Sequence, residues 1–274
     1  MSDRPIGASL CEQAETRGPA RRSARSALPP SLDSQAEALV QAFNSWAFKR
    51  EQPDSAEKLR RLAFLAVEKA TPLAFVLYWG RGPRADVAAP ERQCLDYLTA
   101  LVGRVEARHP PGAQLTLICT DTHARLNGYG SLSTQRYFRQ VTAAAGLHGF
   151  KTCFLSDLVT WAQDRIDETQ AQAQAPQDTL EGLTASAAKW YRGAASIEEG
   201  ARRYFSANMI ERQAVEVAFP HAVFVTFNGS EQRPLFPETM PVFYMYSVRR
   251  GVAVKPWFMA EESIFDDQRR AAAP

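Results

Sequence analysis

The stretch that decides the fold is PLAFVLYW at residues 72–79, a continuous apolar run with the length of one β-strand. A strand without polar alternation is typical of a sheet that is covered on both faces, as mostly parallel sheets are. A helical stripe from Pro90 to about Arg108 follows it, and a Pro-Pro-Gly turn at 110–112 leads into a second apolar run, QLTLICT at 114–120. This order predicts a strand–helix–strand unit with parallel strands.

The same alternation continues towards the C-terminus. We predict a helix from about Leu132 to Gly146, a short strand at 151–155, a helix after Ser156, and a long helix opened by SIEE at 196–199 that runs to about Ala218. Three strand-like runs close the chain: AVFVTFN at 222–228, PVFYMYS at 241–247 and VAVKPWF at 252–258, the last two joined by a tight turn at 249–251. We therefore predict an α/β, Rossmann-like fold with a mostly parallel sheet flanked by helices and an antiparallel C-terminal edge.

The domain organisation predicted from this pattern is simple. Residues 1–31 lack apolar periodicity and end in a Pro-Pro pair, which predicts a disordered N-terminal arm. Residues 32–262 are expected to form a single Rossmann-like α/β domain of catalytic type, whose first helix starts at the capping pattern SQAE, 34–37. The low-complexity stretch 169–178 is interpreted as a surface connection, and residues 263–274 as a frayed tail.

Composition excludes several classes of function. The 274 residues carry 32 Lys and Arg against 30 Asp and Glu, a balance that argues against a dedicated nucleic-acid binder. The four cysteines lie far apart without CxxC spacing, so neither a zinc site nor a disulfide framework is expected. No apolar stretch reaches the roughly 20 residues of a membrane span. We expect a cytoplasmic protein that binds small molecules and binds neither nucleic acid nor a membrane. Whether it forms a homodimer is left open.

The loop directly after the first strand is the first candidate for chemistry. Ligands in open α/β sheets bind beyond the carboxyl ends of the strands. Here Trp79 is followed by GRGPR, in which two glycines permit close backbone approach, and Arg81 and Arg84 supply forked donors suited to phosphate or carboxylate. The spacing matches neither a P-loop nor GxGxxG. The segment predicts an anion site, and a solvated turn is the alternative.

The second candidate is the polar loop DTHARLNGYG at 121–130. Asp121 stands at the carboxyl end of its strand, and His123 is of the residue type that acts most often as a general acid or base. Asn127 adds hydrogen-bonding capacity. The alternative is an Asx-turn beside an exposed histidine, and without HExxH or HxH no metal site is predicted.

The closing strands are the third candidate. Thr226, Asn228 and Ser230 alternate at the end of a strand, so one face presents three polar groups. Aromatic residues in the second half of the chain offer walls for a pocket or, as the alternative, ordinary core.

The order of these motifs resembles the isocyanide (isonitrile) synthase family of pyoverdine and dityrosine biosynthesis proteins. The resemblance spans roughly residues 70–260 and rests on order and spacing. It is carried by PLAFVLYWGRGPR before Ala89-Pro90-Glu91, by Pro111-Gly112-Ala113 before QLTLIC and Thr120-Asp121-Thr122, and by Thr226-Phe227-Asn228-Gly229 before Pro256-Trp257-Phe258.

The resemblance implies a Rossmann-like fold and a reaction. Such enzymes join the amino group of an L-amino acid, usually tyrosine or tryptophan, to ribulose 5-phosphate, whose C2 becomes the isocyanide carbon. By this resemblance, Arg81 and Arg84 would hold the sugar phosphate, and Asp121 would take the place of the family aspartate. His123 is not required by the family pattern, and from its chemistry we expect it to move protons together with Asp121. No cofactor or metal is expected.

The remaining assignments concern the pocket wall. Asn228 would orient the substrate, with Asn127 beside it, and Trp79 and Tyr129 would form aromatic walls. Asn228 and Phe258 stand where the family has histidines. That substitution favours the alternative function, a non-catalytic ligand-binding or scaffold paralogue in the same kind of pathway.

Overall fold

A computed structural model describes residues 30–45, 47–80, 82–169, 174–245, 247–249 and 252–254, the last two ranges as backbone. The predicted arm at 1–31, apart from its last two residues, and the predicted tail at 263–274 lie outside the described residues. So do Arg81 and the Pro256–Phe258 segment. The predicted domain boundaries therefore stay predictions.

A parallel sheet of five strands forms the centre of the described chain. Its strands are β1 (Leu73–Trp79), β2 (Ala113–Cys119), β3 (Lys151–Phe154), β4 (Ala222–Thr226) and β5 (Val242–Tyr244), in the order β3-β2-β1-β4-β5. Every neighbouring pair is parallel, with Trp79 opposite Cys119 and Ala74 opposite Ala222. This confirms the Rossmann-like α/β fold that the apolar runs predict.

Helices connect these strands and cover the sheet. They are α1 (Leu32–Phe43), α2 (Ala56–Glu68), α3 (Ala89–Glu106), α4 (Asp121–Leu126), α5 (Ser131–Leu147), α6 (Leu155–Ala162), α7 (Gln177–Trp190) and α8 (Ile197–Ala218). Short 3₁₀ segments lie at Gln163–Arg165 and Ser230–Leu235. None of the helices described is long and apolar enough to cross a bilayer.

The alternation of side chains along β1 divides the core in two. Phe75 and Leu77 point to one face, where they join a cluster with buried residues of α1, α2, α3 and α5. Val76 points to the other face and packs in a second cluster with Phe224 of β4 and Phe205 of α8. Both faces of the central strands are therefore covered, which explains why their sequences show no polar alternation.

The antiparallel pairing predicted at the C-terminal edge is a separate ladder. β6 (Ser247–Arg249) and β7 (Val252–Val254) pair antiparallel with each other, and Ser247 lies opposite Val254. The run PVFYMYS is thus divided, because β5 takes its first half into the parallel sheet and β6 takes its end into the hairpin.

Three local predictions differ from the structure. The first helix begins at Leu32, since the Ser31 hydroxyl rather than Ser34 caps it. The predicted loop at 121–130 begins with α4, which is followed by a turn at Gly128, where φ is +83°. The sequence pattern does not predict α7, because among its residues with described side chains Leu183 is the single buried one.

Candidate functional site

A cavity of about 500 Å³ lies at the carboxyl ends of β1, β2 and β4. β1 and β4 are neighbours, but the chain continues from β1 towards β2 and from β4 towards β5, on opposite sides. Such a reversal of strand order leaves a crevice between the connections, which is where open α/β sheets bind ligands. Gly80, Thr120 and Thr226 line the cavity from the sheet side.

The opposite wall of the cavity is a pair of helices. α7 contributes Leu183, Ser186 and Ala187, and α8 contributes residues that include Tyr204 and Asn208. The α7–α8 pair therefore covers the crevice at the carboxyl ends of the strands and forms a wall of the cavity.

The two loops singled out in the sequence meet at this cavity. Gly82 packs against the ring of Tyr129, so that a Cβ at Gly82 would lie 2.8 Å from the Tyr129 hydroxyl oxygen. Arg84 from the first loop and Asn127 from the second both line the cavity. The third candidate segment also reaches it through Asn228, whose backbone N–H donates to the Thr226 hydroxyl at 3.0 Å.

The strongest polar contact at the cavity joins His123 to Glu211. Nε2 of His123 on α4 lies 2.6 Å from Oε2 of Glu211 on α8, and the side chains are 8% and 4% exposed. Burial alone would raise the pKa of the Glu211 carboxyl, but the charge and hydrogen bond of His123 outweigh it and hold that pKa below its usual value. Glu211 is therefore an ionised acceptor beside the imidazole.

Two tyrosines surround the imidazole. The ring centroid of Tyr204 lies 4.8 Å from that of His123, and the Tyr204 hydroxyl oxygen lies 3.4 Å from Nδ1. The Tyr78 ring lies edge-on to the imidazole, with 6.0 Å between the two centroids. Burial, with a further contribution from the charge of Glu211, raises the pKa of both phenols. Both therefore stay protonated at neutral pH.

Arg84 is held at the cavity by a buried carboxylate. Its side chain is 43% exposed, and its Nε lies 3.9 Å from Oε1 of the fully buried Glu91. The backbone N–H of Ala88 donates to Oε2 of Glu91 at 3.1 Å, and the Tyr137 hydroxyl donates to Oε1 at 3.4 Å. This ion pair places the Arg84 guanidinium beside the cavity wall.

The structure brings five of the predicted residues into one lining. These are Arg84, His123, Asn127, Tyr129 and Asn228. Asp121 and Trp79 are not among the described residues that line the cavity. The two oxygens of Asp121 contact the backbone N–H of Ser156 at 3.1 Å and Arg125 at 3.7 Å. The structure thus pairs His123 with Glu211 instead of Asp121.

Trp79 has a place in the core. It is fully buried, and its indole N–H donates to the Tyr137 hydroxyl at 3.2 Å. This follows from the period of two along β1, which turns Trp79 to the same face as Phe75 and Leu77 and away from the face of Tyr78.

Sequence reasoning missed the α8 side of the site. Tyr204, Asn208 and Glu211 are spaced i, i+4 and i+7, which places them on one face of the helix. Polar residues at that spacing on the buried face of a long helix were the available signal. Among the described residues, no group of three or more His, Cys, Asp and Glu side chains is arranged to hold a metal ion.

The fold and the cavity define the class: a Rossmann-like α/β protein with a cavity of ligand size at the switch point of its sheet. No family model matches the chain, and no curated protein matches its sequence. Among solved structures, the chain is similar to the PvcA protein from Pseudomonas aeruginosa, with a TM-score of 0.54 and 15% identity, over 83% of this chain and 87% of that one. This is a distant structural relationship, and what it shows is the shared fold.

Two further structures give lower scores. Tyrosyl-tRNA synthetase from Pyrococcus horikoshii, complexed with L-tyrosine, has a TM-score of 0.47 at 11% identity, over 81% of this chain and 58% of that one. The corresponding enzyme from Archaeoglobus fulgidus has a TM-score of 0.42 at 14% identity, over 78% and 63%.

Proposed function

We propose that this chain is a biosynthetic enzyme similar to the isocyanide synthases, which combines the amine of a tyrosine- or tryptophan-like L-amino acid with a phosphosugar such as ribulose 5-phosphate. The observation that carries the proposal is that Arg84 and His123, which is paired with the buried Glu211, line one cavity. The sequence resemblance and the distant structural relationship to PvcA also support this proposal.

The size and lining of the cavity support two small substrates with an aromatic part. About 500 Å³ lies within the range of about 300–1,000 Å³ that small-molecule sites occupy. Tyr191, Phe227 and Phe236 line it beside the two tyrosines near His123. Aromatic walls of this kind pack well against phenol or indole rings.

Arg84 supports an anionic substrate. Among the described lining residues no other arginine or lysine occurs. A guanidinium binds phosphate through two parallel N–H donors, which adds geometric specificity to charge. Arg81, outside the described residues, stays a predicted second donor.

The His123–Glu211 pair supports the proton transfer that joining an amine requires. An amino acid carries its amine as ammonium at neutral pH, and ammonium has no lone pair with which to attack a carbonyl carbon. The imidazole provides a base, and the carboxylate at 2.6 Å stabilises the imidazolium that results. In this proposal the carboxylate that acts with His123 is Glu211, whereas the sequence predicts Asp121 for that position.

The direct test is incubation of the purified protein with ribulose 5-phosphate and each of the twenty amino acids, followed by mass spectrometry. We expect a condensed product, or its isocyanide, with tyrosine or tryptophan, and none with the His123→Gln variant. Arg203→Gln, an exposed arginine paired with Glu199 on α8, is the matched control. Absence of any adduct with the unchanged protein would contradict the proposal.

A ligand-binding paralogue without turnover is the second candidate, favoured by Asn228. An amide cannot exchange a proton near neutral pH as a histidine does. A thermal shift distinguishes the two functions: stabilisation by tyrosine or ribulose 5-phosphate with no product indicates binding alone.

A further inference from the structure

Three side chains form a connected line from the buried interface of α4 and α8 to the cavity. Oε2 of Glu211 lies 2.6 Å from Nε2 of His123, and Nδ1 of the same ring lies 3.4 Å from the Tyr204 hydroxyl. Glu211 is almost completely buried, whereas Tyr204 is partly exposed and lines the cavity. Both ring nitrogens of His123 therefore face protein groups, and the tyrosine lies at the cavity end of the line.

The carboxylate decides which ring nitrogen carries the proton. An ionised carboxylate only accepts hydrogen bonds, so Nε2 must be the protonated nitrogen of the neutral ring. Nδ1 is then an acceptor, and the Tyr204 hydroxyl is placed to donate to it. The three side chains correspond to the hydroxyl, the base and the orienting carboxylate of a catalytic triad. Here the hydroxyl is the phenol of Tyr204.

We propose that Tyr204 is a catalytic residue, which contacts the substrate ammonium and relays its proton to Nδ1 of His123, with Glu211 as the positioning residue. This inference rests on the proposed function, because it needs a substrate amine in the cavity. In the step, the N–H bond of the ammonium breaks as its proton bonds to the Tyr204 oxygen. The phenol's own proton passes to Nδ1 at the same time. The amine keeps its electron pair, and the positive charge ends on the imidazole.

The surroundings explain why the two transfers are coupled. Burial and the nearby carboxylate of Glu211 raise the pKa of Tyr204, so a free phenolate is an unfavourable intermediate. A phenol that gains one proton while it gives up the other avoids that state. The imidazolium that forms is stabilised by Glu211 at 2.6 Å.

The first experiment compares Tyr204→Phe with Tyr244→Phe. The first substitution removes the relay hydroxyl and keeps the ring. The second removes a hydroxyl that is buried outside the cavity lining and has no hydrogen-bond partner among the described residues. With tyrosine, tryptophan and ribulose 5-phosphate as substrates, we expect Tyr204→Phe to lower kcat by about 10²–10⁴-fold. We also expect it to keep thermal stabilisation by those substrates, and Tyr244→Phe to keep kcat. An unchanged kcat in Tyr204→Phe would overturn the relay.

The second experiment does not depend on turnover. In protein labelled with ¹⁵N-histidine, the His123 signals are assigned by their loss in His123→Gln. We expect the Nε2-protonated tautomer, with an Nδ1 signal that shifts in Tyr204→Phe and not in Tyr244→Phe. An Nδ1-protonated ring, or an Nδ1 signal unchanged by Tyr204→Phe, would overturn the inference. If the unchanged protein forms no product, the proposed function fails, and this measurement alone decides the relay contact.

Discussion

Gly82 and Tyr129 are packed so closely that an alanine at position 82 would place its Cβ 2.8 Å from the tyrosine hydroxyl oxygen and 2.9 Å from Cζ. This contact joins the loop after β1 to the segment after α4. It holds Tyr129 at the cavity wall, and Gly82 itself is two residues from Arg84 along the first loop. An alanine at position 82 would thus be opposed by the end of the Tyr129 ring and not by the backbone conformation.

Gly82→Ala tests this packing. The added methyl group forces the Tyr129 ring to move, so we expect weaker thermal stabilisation by ribulose 5-phosphate and a loss of about 1 kcal/mol in the free energy of unfolding. Gly80→Ala is the comparison in the same loop, because its Cβ would lie 3.9 Å from the Thr120 hydroxyl, an ordinary contact distance. Equal effects of the two substitutions would show that the close approach has no role.

Glu211 makes stability depend on pH. Its pKa is lower in the folded protein than its usual value, so the unfolded chain takes up the proton at higher pH. The contribution of this carboxylate is complete above the usual glutamate pKa of about 4.3 and is lost as pH falls through the folded value. Denaturant unfolding of Glu211→Gln should show a shallower fall in stability below about pH 5 than the unchanged protein does.

At neutral pH the same substitution should be costly. Removing the charged acceptor of this buried hydrogen bond should destabilise the protein by about 1.5–3 kcal/mol. Glu199→Gln, on the same helix in an exposed pair with Arg203, should cost no more than about 0.5 kcal/mol. Similar losses for the two variants would contradict the buried pair.

The helix that carries Tyr204 and Glu211, α8, is capped at its N-terminus. The Ser196 hydroxyl accepts the backbone N–H of Glu199 at 3.1 Å and caps the helix. We expect Ser196→Ala to lower the free energy of unfolding by about 1 kcal/mol, and Ser196→Asp to keep it, since aspartate caps equally well. A Ser196→Ala variant as stable as the unchanged protein would show that packing alone fixes this end of the helix.

The two cysteines on β2 and β3 should be unreactive. Burial raises the pKa of the Cys119 thiol to about 12 and that of the Cys153 thiol to about 11. At about pH 8, their thiolate fractions are on the order of 10⁻⁴ and 10⁻³. Mass spectrometry after iodoacetamide treatment should find both unmodified in the folded protein and modified in denaturant. Rapid labelling of Cys119 in the folded protein would contradict its buried setting.

The fold could be predicted where a local signal is strong. The apolar runs of β1, β2 and β4 and the cap of α8 depend on neighbouring residues, and these elements form near the predicted positions. α7 could not be predicted in this way. Its sequence, QDTLEGLTASAAKW, lacks a wide apolar stripe. The helix instead depends on tertiary packing against α8, beside the cavity.

The site could be predicted where it follows the strand ends, and not where it comes from a distant helix. Arg84 and His123 follow closely after β1 and β2, and this position makes both of them predictable from the sequence. Glu211 lies 88 residues beyond His123, and in the sequence it is one acid of a long helix. Which acid of α8 contacts His123 depends on how the helix is rotated against the sheet, and this is a property of tertiary packing. Asp121 is nearer in sequence, but its oxygens face Ser156 and Arg125.

The most direct test of the account is calorimetric titration of the unchanged protein, Arg84→Gln and Arg203→Gln with ribulose 5-phosphate, with and without L-tyrosine. A charge-assisted contact is worth about 1.5–3 kcal/mol, so we expect Arg84→Gln to weaken phosphosugar binding by about tenfold or more and Arg203→Gln to leave it unchanged. Equal affinity in all three proteins, or no binding to any of them, would contradict a phosphosugar site at Arg84.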